Sequence, residues 1–241
     1  MSSLRIALIG YGRMGHEIET VAKKRGHQVV LTIDQDNRDD LTPENLKKAD
    51  VAIEFTLPDS AYHNIMTCLK SHVPVVSGTT GWMDHFQEVV DYCREHQQAF
   101  FYASNFSIGV NLFFRINQQM AHIMNQFTNY DVEIEETHHV HKVDAPSGTA
   151  VKLADLLLQE IDRKKGWKKE KAQTPEDLPV RSIREDEIPG IHRVMYHSTF
   201  DDIEIRHSAK SREGFALGAV LAAEYIQGRQ GVYSMEDLLN L

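Results

Sequence analysis

The chain has 241 residues, enough for one large hydrophobic core or two small ones. Its 41% hydrophobic and 25% charged residues are ordinary for a globular protein, and a formal net charge of −9 argues against general nucleic-acid affinity, which needs a basic face. Two cysteines, Cys68 and Cys93, make no disulfide framework, and no apolar run approaches the roughly 20 residues that span a bilayer.

Residues 4–9 are nearly all apolar, as in a strand buried on both faces of a parallel sheet, and too short for the apolar segment of a signal peptide. A cytoplasmic protein with no membrane and no nucleic-acid partner is the expectation. Gly10, Tyr11, Gly12, Arg13, Met14 and Gly15 follow at once, and Met14, Ile18, Val21 and Ala22 then recur at helical spacing. Gly26 can end that helix, and residues 28–33 read as a second strand closing with Asp34. Strand, G-x-G-x-x-G, helix, strand, acid is the pattern of dinucleotide binding. Gly10 allows the tight turn, Gly12 lets backbone approach a pyrophosphate, and Gly15 lets helix and strand pack closely. Asp34 stands near the distance, about 20 residues on, at which an acid accepts from the ribose 2′-OH. Its competing reading is a solvated turn residue, because Asp36, Asp39 and Asp40 follow. Arg38 is the local cation and acids surround it, so NADH is expected over NADPH, whose 2′-phosphate wants a cation.

The alternation continues. Strands are predicted over 51–55, 73–76 and 99–103, with helices over 59–69 and 84–96. This is the pattern of a doubly wound parallel sheet, in which ligands bind beyond the carboxyl ends of the strands. Three loops lie there: Phe55 with Thr56; Gly78, Thr79 and Thr80; and Ala103, Ser104, Asn105 and Phe106. Around Gly78 a cofactor contact and a plain turn remain equally open.

A long helix is predicted over 108–127, its apolar positions reading as core. Asn105, Ser107 and Gly109 precede it, where a cleft between two domains would fall. Residues 130–136 alternate as a half-buried strand. That strand delivers the most chemically loaded window of the chain, residues 136–150, Glu-Thr-His-His-Val-His-Lys-Val-Asp-Ala-Pro-Ser-Gly-Thr-Ala. Ser147, Gly148 and Thr149 suit a helix N-terminus, whose N–H groups hold anions, and His138, His139, His141 and Lys142 gather cations beside it. A small acidic ligand with a proton donor at hand is the implied occupant.

The helix from 147 runs to 161, and 162–176 reads as a solvated helix end and loop. Strands over 180–184, 191–198 and 202–207 would complete a second, mixed sheet. Its poorly covered face implies an oligomer. A helix over 215–227 follows, and Ser234 to Asp237 resembles a capping box opening a short last helix.

The 136–150 window resembles the signature H-H-x-x-K-x-D-A-P-S-G-T of the 4-hydroxy-tetrahydrodipicolinate (dihydrodipicolinate) reductase family. The Gly78-Thr-Thr-Gly stretch, the Ser104-Asn-Phe-Ser-Ile-Gly-Val-Asn stretch, Gly190-x-His192-x-Val194 and residues 207–220 are similar to its other landmarks, so the resemblance covers essentially the whole chain. It implies an α/β protein: a Rossmann-type parallel-sheet dinucleotide-binding domain (1–106, with 216–241 returning to it) and an α+β substrate and oligomerisation domain with a mixed sheet (107–215). It further implies a homotetramer and NAD(P)H-dependent reduction of a cyclic dicarboxylate, with loss of water. By resemblance His138 is the catalytic acid/base and Lys142 the proton donor. His139 and Ser147 contact substrate, and Gly148 with Thr149 hold a carboxylate. Gly10, Tyr11, Gly12, Arg13, Met14, Asp34, Gly78, Thr79, Thr80, Ala103, Ser104, Asn105 and Phe106 meet NADH or NADPH.

The residue types suit that chemistry. Hydride addition to a conjugated imine leaves negative charge that a donor must neutralise; lysine carries a proton at neutral pH and histidine exchanges one there. Which of the two protonates substrate is open in the sequence. No metal is expected, because no cysteine or well-spaced carboxylate completes the histidines. His141 reads as structural, and Asp144 as orienting the turn. Two departures from the family, a glycine loop one residue short and Gln35 where many members carry Arg, bear on cofactor preference and not on the reaction. Another amino-acid dehydrogenase would share the glycine loop without needing the 136–150 window. A nicotinamide-sensing regulator would bind NADH without consuming it.

Overall fold

The computed structural model describes residues 3–241, which form two compact units. The first unit runs to Ile108 and resumes over Arg212–Leu241; the second is Gly109–Ser211. The first contains β1 (Arg5–Ile9), α1 (Arg13–Lys24), β2 (Gln28–Ile33), α2 (Pro43–Leu46), β3 (Val51–Glu54), α3 (Pro58–Lys70), β4 (Val75–Ser77), α4 (Phe86–Glu95) and β5 (Ala99–Tyr102). Then come α5 (Ile108–Met124), β6 (Asp131–His138), α6 (Gly148–Glu160), β7 (Gly166–Lys169), β8 (Asp177–Arg184), β9 (Ile191–His197) and β10 (Asp202–Ser208). The chain returns to the first unit with α7 (Glu213–Ile226), β11 (Gly231–Tyr233) and α8 (Met235–Leu239).

The first sheet has the order β11-β5-β4-β3-β1-β2 and every pair is parallel. Alternate residues of each central strand feed two cores. Ile6 and Leu8 pack with Ile18 and Val21 of α1 and with Ala219 and Ala223 of α7. Ala7 and Ile9 pack with Ile65 and Cys68 of α3 and with Val89 and Cys93 of α4. Both cysteines are buried and unpaired, small core residues as their surroundings require. Arg25, just past α1, donates to Glu224 of α7 at 2.7 Å, and His27 Nε2 lies 2.7 Å from the same carboxylate, tying the returning helix to the sheet's first crossover. The last helix opens with the expected box: Ser234 N–H donates to Asp237 at 2.7 Å. A sixth strand, β11, extends the five predicted. Three residues are too few to carry a pattern, and its place is set by pairing with β5.

The second sheet has the order β10-β9-β6-β8-β7. β6 runs parallel to β8 and antiparallel to β9, so the sheet is mixed. One face carries Val132, Ile134, Leu178, Val180, Val194 and Tyr196 against α5 and α6. The opposite face is charged: Glu135 lies 3.6 Å from Arg181 and 3.5 Å from Arg193, and Glu133 lies 3.5 Å from His197. Residues 162–176 are not wholly loop as expected, since β7 lies within them at the sheet edge. Its lysines hid it, and edge strands tolerate such charge. Lys164 before it is buried and donates to the carbonyls of Pro175 and Asp177 at 2.9 and 2.8 Å, which fixes the segment to β8. Among the described residues no helix is long and apolar enough to cross a membrane.

Candidate active site

In the first unit the glycine loop does what its spacing requires. Gly10 sits at φ +94°, and a Cβ there would lie 1.9 Å from the Phe55 carbonyl oxygen. A Cβ on Gly15 would lie 2.4 Å from the Gly10 carbonyl oxygen, so α1 packs closely on the turn. A Cβ on Gly12 would meet nothing within 4 Å, which leaves backbone accessible at the middle of the loop. Gly10, Gly12, Asp34, Gln35, Arg38 and Thr56 line a cavity of about 570 Å³. Arg13, Met14, Thr56, Gly78, Thr79 and Thr80 line a second of about 330 Å³ beside it, with Gly12 common to both. Asp34 accepts from Gln35 N–H at 2.8 Å while facing the larger cavity. Tyr11 binds the Glu19 carboxylate through its hydroxyl and packs on His16. Ala103, Ser104, Asn105 and Phe106 line neither cavity. Phe106 is buried against Phe55 and Phe101, so the loop can offer a ligand only its backbone at that residue.

A carboxylate overlooked in the sequence organises the loops here. Glu54 ends β3 wholly buried. It accepts from Ser77 Oγ at 2.6 Å, Thr79 Oγ1 at 2.9 Å and Thr56 N–H at 3.0 Å, and also from the Thr56 hydroxyl. Burial pushes its carboxyl above the usual range, against the pull of those donors.

In the second unit β6 continues past Glu136 to His138, so Glu136 and His138 fall in phase with Val132 and Ile134 on the helix-covered face. Register brings Ser182 of β8 and His192 of β9 level with Glu136, and Arg184 level with His138. All of Glu136, His138 and His192 are buried. Glu136 Oε1 accepts from Ser147 N–H at 3.0 Å, Ser182 Oγ at 2.9 Å and Arg184 at 3.2 Å. Oε2 lies 3.1 Å from His138 Nδ1 and 3.8 Å from His192 Nε2. Burial opposes charge on Glu136, but the adjacent His138 and the donors from Ser147 and Ser182 outweigh it and hold the carboxyl well below the usual range. Burial, with the His138 ring close by, pushes His192 down to about 3, so it is neutral at physiological pH.

The same carboxylate anchors the start of α6. Ser147 caps that helix, its Oγ accepting from Ala150 N–H at 3.2 Å and lying 3.2 Å from His192 Nε2. A Cβ on Gly148 would meet nothing within 4 Å, so the helix start is open on that side. Lys142, in the turn after β6, sits 2.8 Å from Asp144, whose carboxyl it lowers despite partial burial. Arg184 reaches the carbonyl of Asp144 and, at 3.3 Å, that of Lys142, bracing the turn. His139 is half-buried, with a buried Nδ1 lacking a hydrogen-bond partner. His141, read as structural, is exposed, 3.1 Å from Glu187 and tilted against the His139 ring with centroids 6.1 Å apart.

Glu136, His138 and His192 place one ligand atom each within 4.8 Å of one another, a spacing that a metal ion would accept. The Arg184 guanidinium on the same carboxylate already supplies positive charge there. Arg184 and Ser182 were not singled out in the sequence, and Glu136 only as the start of a motif. The legible signal was phase: Glu136 is a carboxylate on the inward side of an alternating strand.

Comparison with known proteins covers both units. Residues 4–106 match the family described as dihydrodipicolinate reductase, N-terminus, and residues 109–239 match dihydrodipicolinate reductase, C-terminus. A 4-hydroxy-tetrahydrodipicolinate reductase of Christiangramia forsetii is 48% identical over 239 residues, 98% of either chain. One of Neisseria meningitidis serogroup C is 36% identical over 203 residues, 81% of this chain and 74% of its own. A dipicolinate-bound dihydrodipicolinate reductase from Paenisporosarcina sp. TG-14 superposes with a TM-score of 0.80 at 26% identity, over 98% of this chain and 99% of its own. With both units matched and near-complete coverage at 48% identity, the chain belongs to the dihydrodipicolinate reductase family.

Proposed function

We propose that this chain is an oxidoreductase that reduces 4-hydroxy-tetrahydrodipicolinate to tetrahydrodipicolinate, with loss of water, in lysine and diaminopimelate biosynthesis. The observation that carries this reading is Glu136. One carboxylate joins the strand end bearing His138 to the Ser147-capped start of α6, so an acid/base group and an anion-binding helix start are held in one frame. A cyclic dicarboxylate needs that combination. One carboxylate meets the amides of Gly148 and Thr149 and the positive end of the α6 dipole, and Lys142 and His139 supply cationic and polar contacts to the ring and its second carboxylate. Lys142 delivers a proton as negative charge develops on the substrate, and His138 acts as the acid/base.

The cavities of the first unit fit a dinucleotide. Gly12 leaves backbone open to a pyrophosphate, and Asp34 faces the larger cavity, where a ribose hydroxyl would donate to it. A nicotinamide bound there supplies the hydride. Asp36, Asp39 and Asp40 follow Asp34, and a 2′-phosphate would sit among them with Arg38 alone to offset the repulsion; this favours NADH. The charged face of the second sheet, with acids and bases interleaved, suits pairing with a second copy of itself in a homotetramer.

Dipicolinate, the ligand in the Paenisporosarcina protein's structure, is a planar stand-in for the substrate. Calorimetric titration is expected to show binding to the wild type and much weaker binding to Lys142→Ala. No binding at all, or equal binding to both, would refute the placement of the substrate site.

A further inference from the structure

We propose that Glu136 is a positioning residue that fixes which ring nitrogen of His138 exchanges the proton. The proposal rests on the reading of His138 as acid/base and deepens it. The two carboxylate oxygens are engaged differently. Oε1 already accepts from Ser147, Ser182 and Arg184, which fills the roughly two lone-pair directions an oxygen offers. Oε2 is left to the histidines, with His138 Nδ1 nearer at 3.1 Å and His192 Nε2 at 3.8 Å. At that distance neither His138 Nδ1 nor Glu136 Oε2 completes a hydrogen bond, and catalytic hydrogen bonds are often poorly aligned before a ligand arrives.

An ionised carboxylate only accepts, so the nitrogen facing it must carry hydrogen. Nδ1 is therefore the N–H nitrogen of neutral His138, and Nε2 keeps the free lone pair. The structure holds space at Nε2. Gly190 sits at φ +157°, and a Cβ there would lie 3.1 Å from that nitrogen. Any side chain at 190 would crowd the atom that exchanges the proton. His192, edge-on to His138 with centroids 5.0 Å apart, fills the flank and limits ring rotation. The device is local in sequence: an acid and a histidine two residues apart on one face of one strand, with partners set by register.

The test is nitrogen NMR of the full chain labelled in its histidines, with His138 assigned by comparison with His138→Gln. At a pH where the ring is neutral, wild-type His138 is expected to show Nδ1 protonated and Nε2 bare. In Glu136→Gln the three donors at Oε1 hold the amide carbonyl and turn the NH₂ toward His138. Nδ1 then accepts, the tautomer reverses, and kcat falls by roughly 10²-fold with KM changed far less. Glu136→Asp, which keeps a carboxylate, restores the Nδ1–H form. An Nε2–H tautomer in the wild type, or an unchanged tautomer in Glu136→Gln, would overturn the proposal. The wild-type spectrum decides the matter even if Glu136→Gln does not fold. Normal turnover in His138→Ala would remove His138 from the chemistry while leaving the tautomer result standing, so the two failures are distinguishable.

Discussion

Replacing Glu54 by alanine should destabilise the first unit and loosen its ligand loops together. The side chain is wholly buried and accepts from Ser77, Thr79 and Thr56. In Glu54→Ala the amide of Thr56 keeps Thr79 Oγ1 at 2.8 Å, but the hydroxyls of Ser77 and Thr79, both on buried residues, lose their acceptor. An orphaned buried donor costs about 1–3 kcal/mol, and hydroxyls can turn, so about 2–4 kcal/mol is expected before any cavity term. Glu54→Gln keeps the shape and an acceptor, and should cost within about 1 kcal/mol. The two variants also separate charge from hydrogen bonding. Burial raises the folded carboxyl above its unfolded value, so this group's contribution is fully present below the unfolded pKa, near 4.3, and is lost as pH rises through the folded one. The stability of wild type relative to Glu54→Gln should therefore fall as pH rises from acid toward neutral. Urea unfolding of the three proteins across that range, with m-values unchanged, is the assay. A Glu54→Ala midpoint equal to wild type, or a wild-type advantage over Glu54→Gln that grows with pH, would refute the reasoning.

Two further outcomes concern the ligand sites. His138→Ala and Lys142→Ala should each lower kcat by roughly 10²-fold or more while NADH affinity, read by fluorescence titration, stays at the wild-type value; near-normal turnover in both would remove them from the chemistry. Asp34→Ala should weaken NADH more than NADPH, and equal loss for the two would detach Asp34 from the ribose.

The first sheet was readable because each parallel strand is a short apolar run and each crossover helix has one apolar face. Residues 4–33 carry strand, glycine loop, helix and strand in unbroken order. β7 and β11 were not readable, for opposite reasons: β7 is masked by lysines around Trp167, and β11 is three residues long. The 136–150 window was legible as a cluster of cations beside a helix start, because capping chemistry is local. What escaped was the pair of buried carboxylates. Glu54 lies near the end of the predicted 51–55 strand, and the hydroxyls that satisfy it belong to Ser77 and Thr79, more than 20 residues away. Glu136 takes its meaning from Ser182, Arg184 and His192, brought alongside by strand register that no local pattern encodes. Hydrogen-bond partners of a buried acid are long-range facts, so the roles of both acids became visible only with the sheets assembled, although the phase of Glu136 on its strand already marked it as inward.

The most direct test of the central claim is turnover itself. Purified protein is mixed with NADH and with 4-hydroxy-tetrahydrodipicolinate generated in place by its synthase, and cofactor absorbance and product are followed together. The account predicts loss of NADH only when the substrate is supplied, matched one for one by tetrahydrodipicolinate. Tight NADH binding with no consumption in the presence of substrate would contradict it and point to a sensing protein instead.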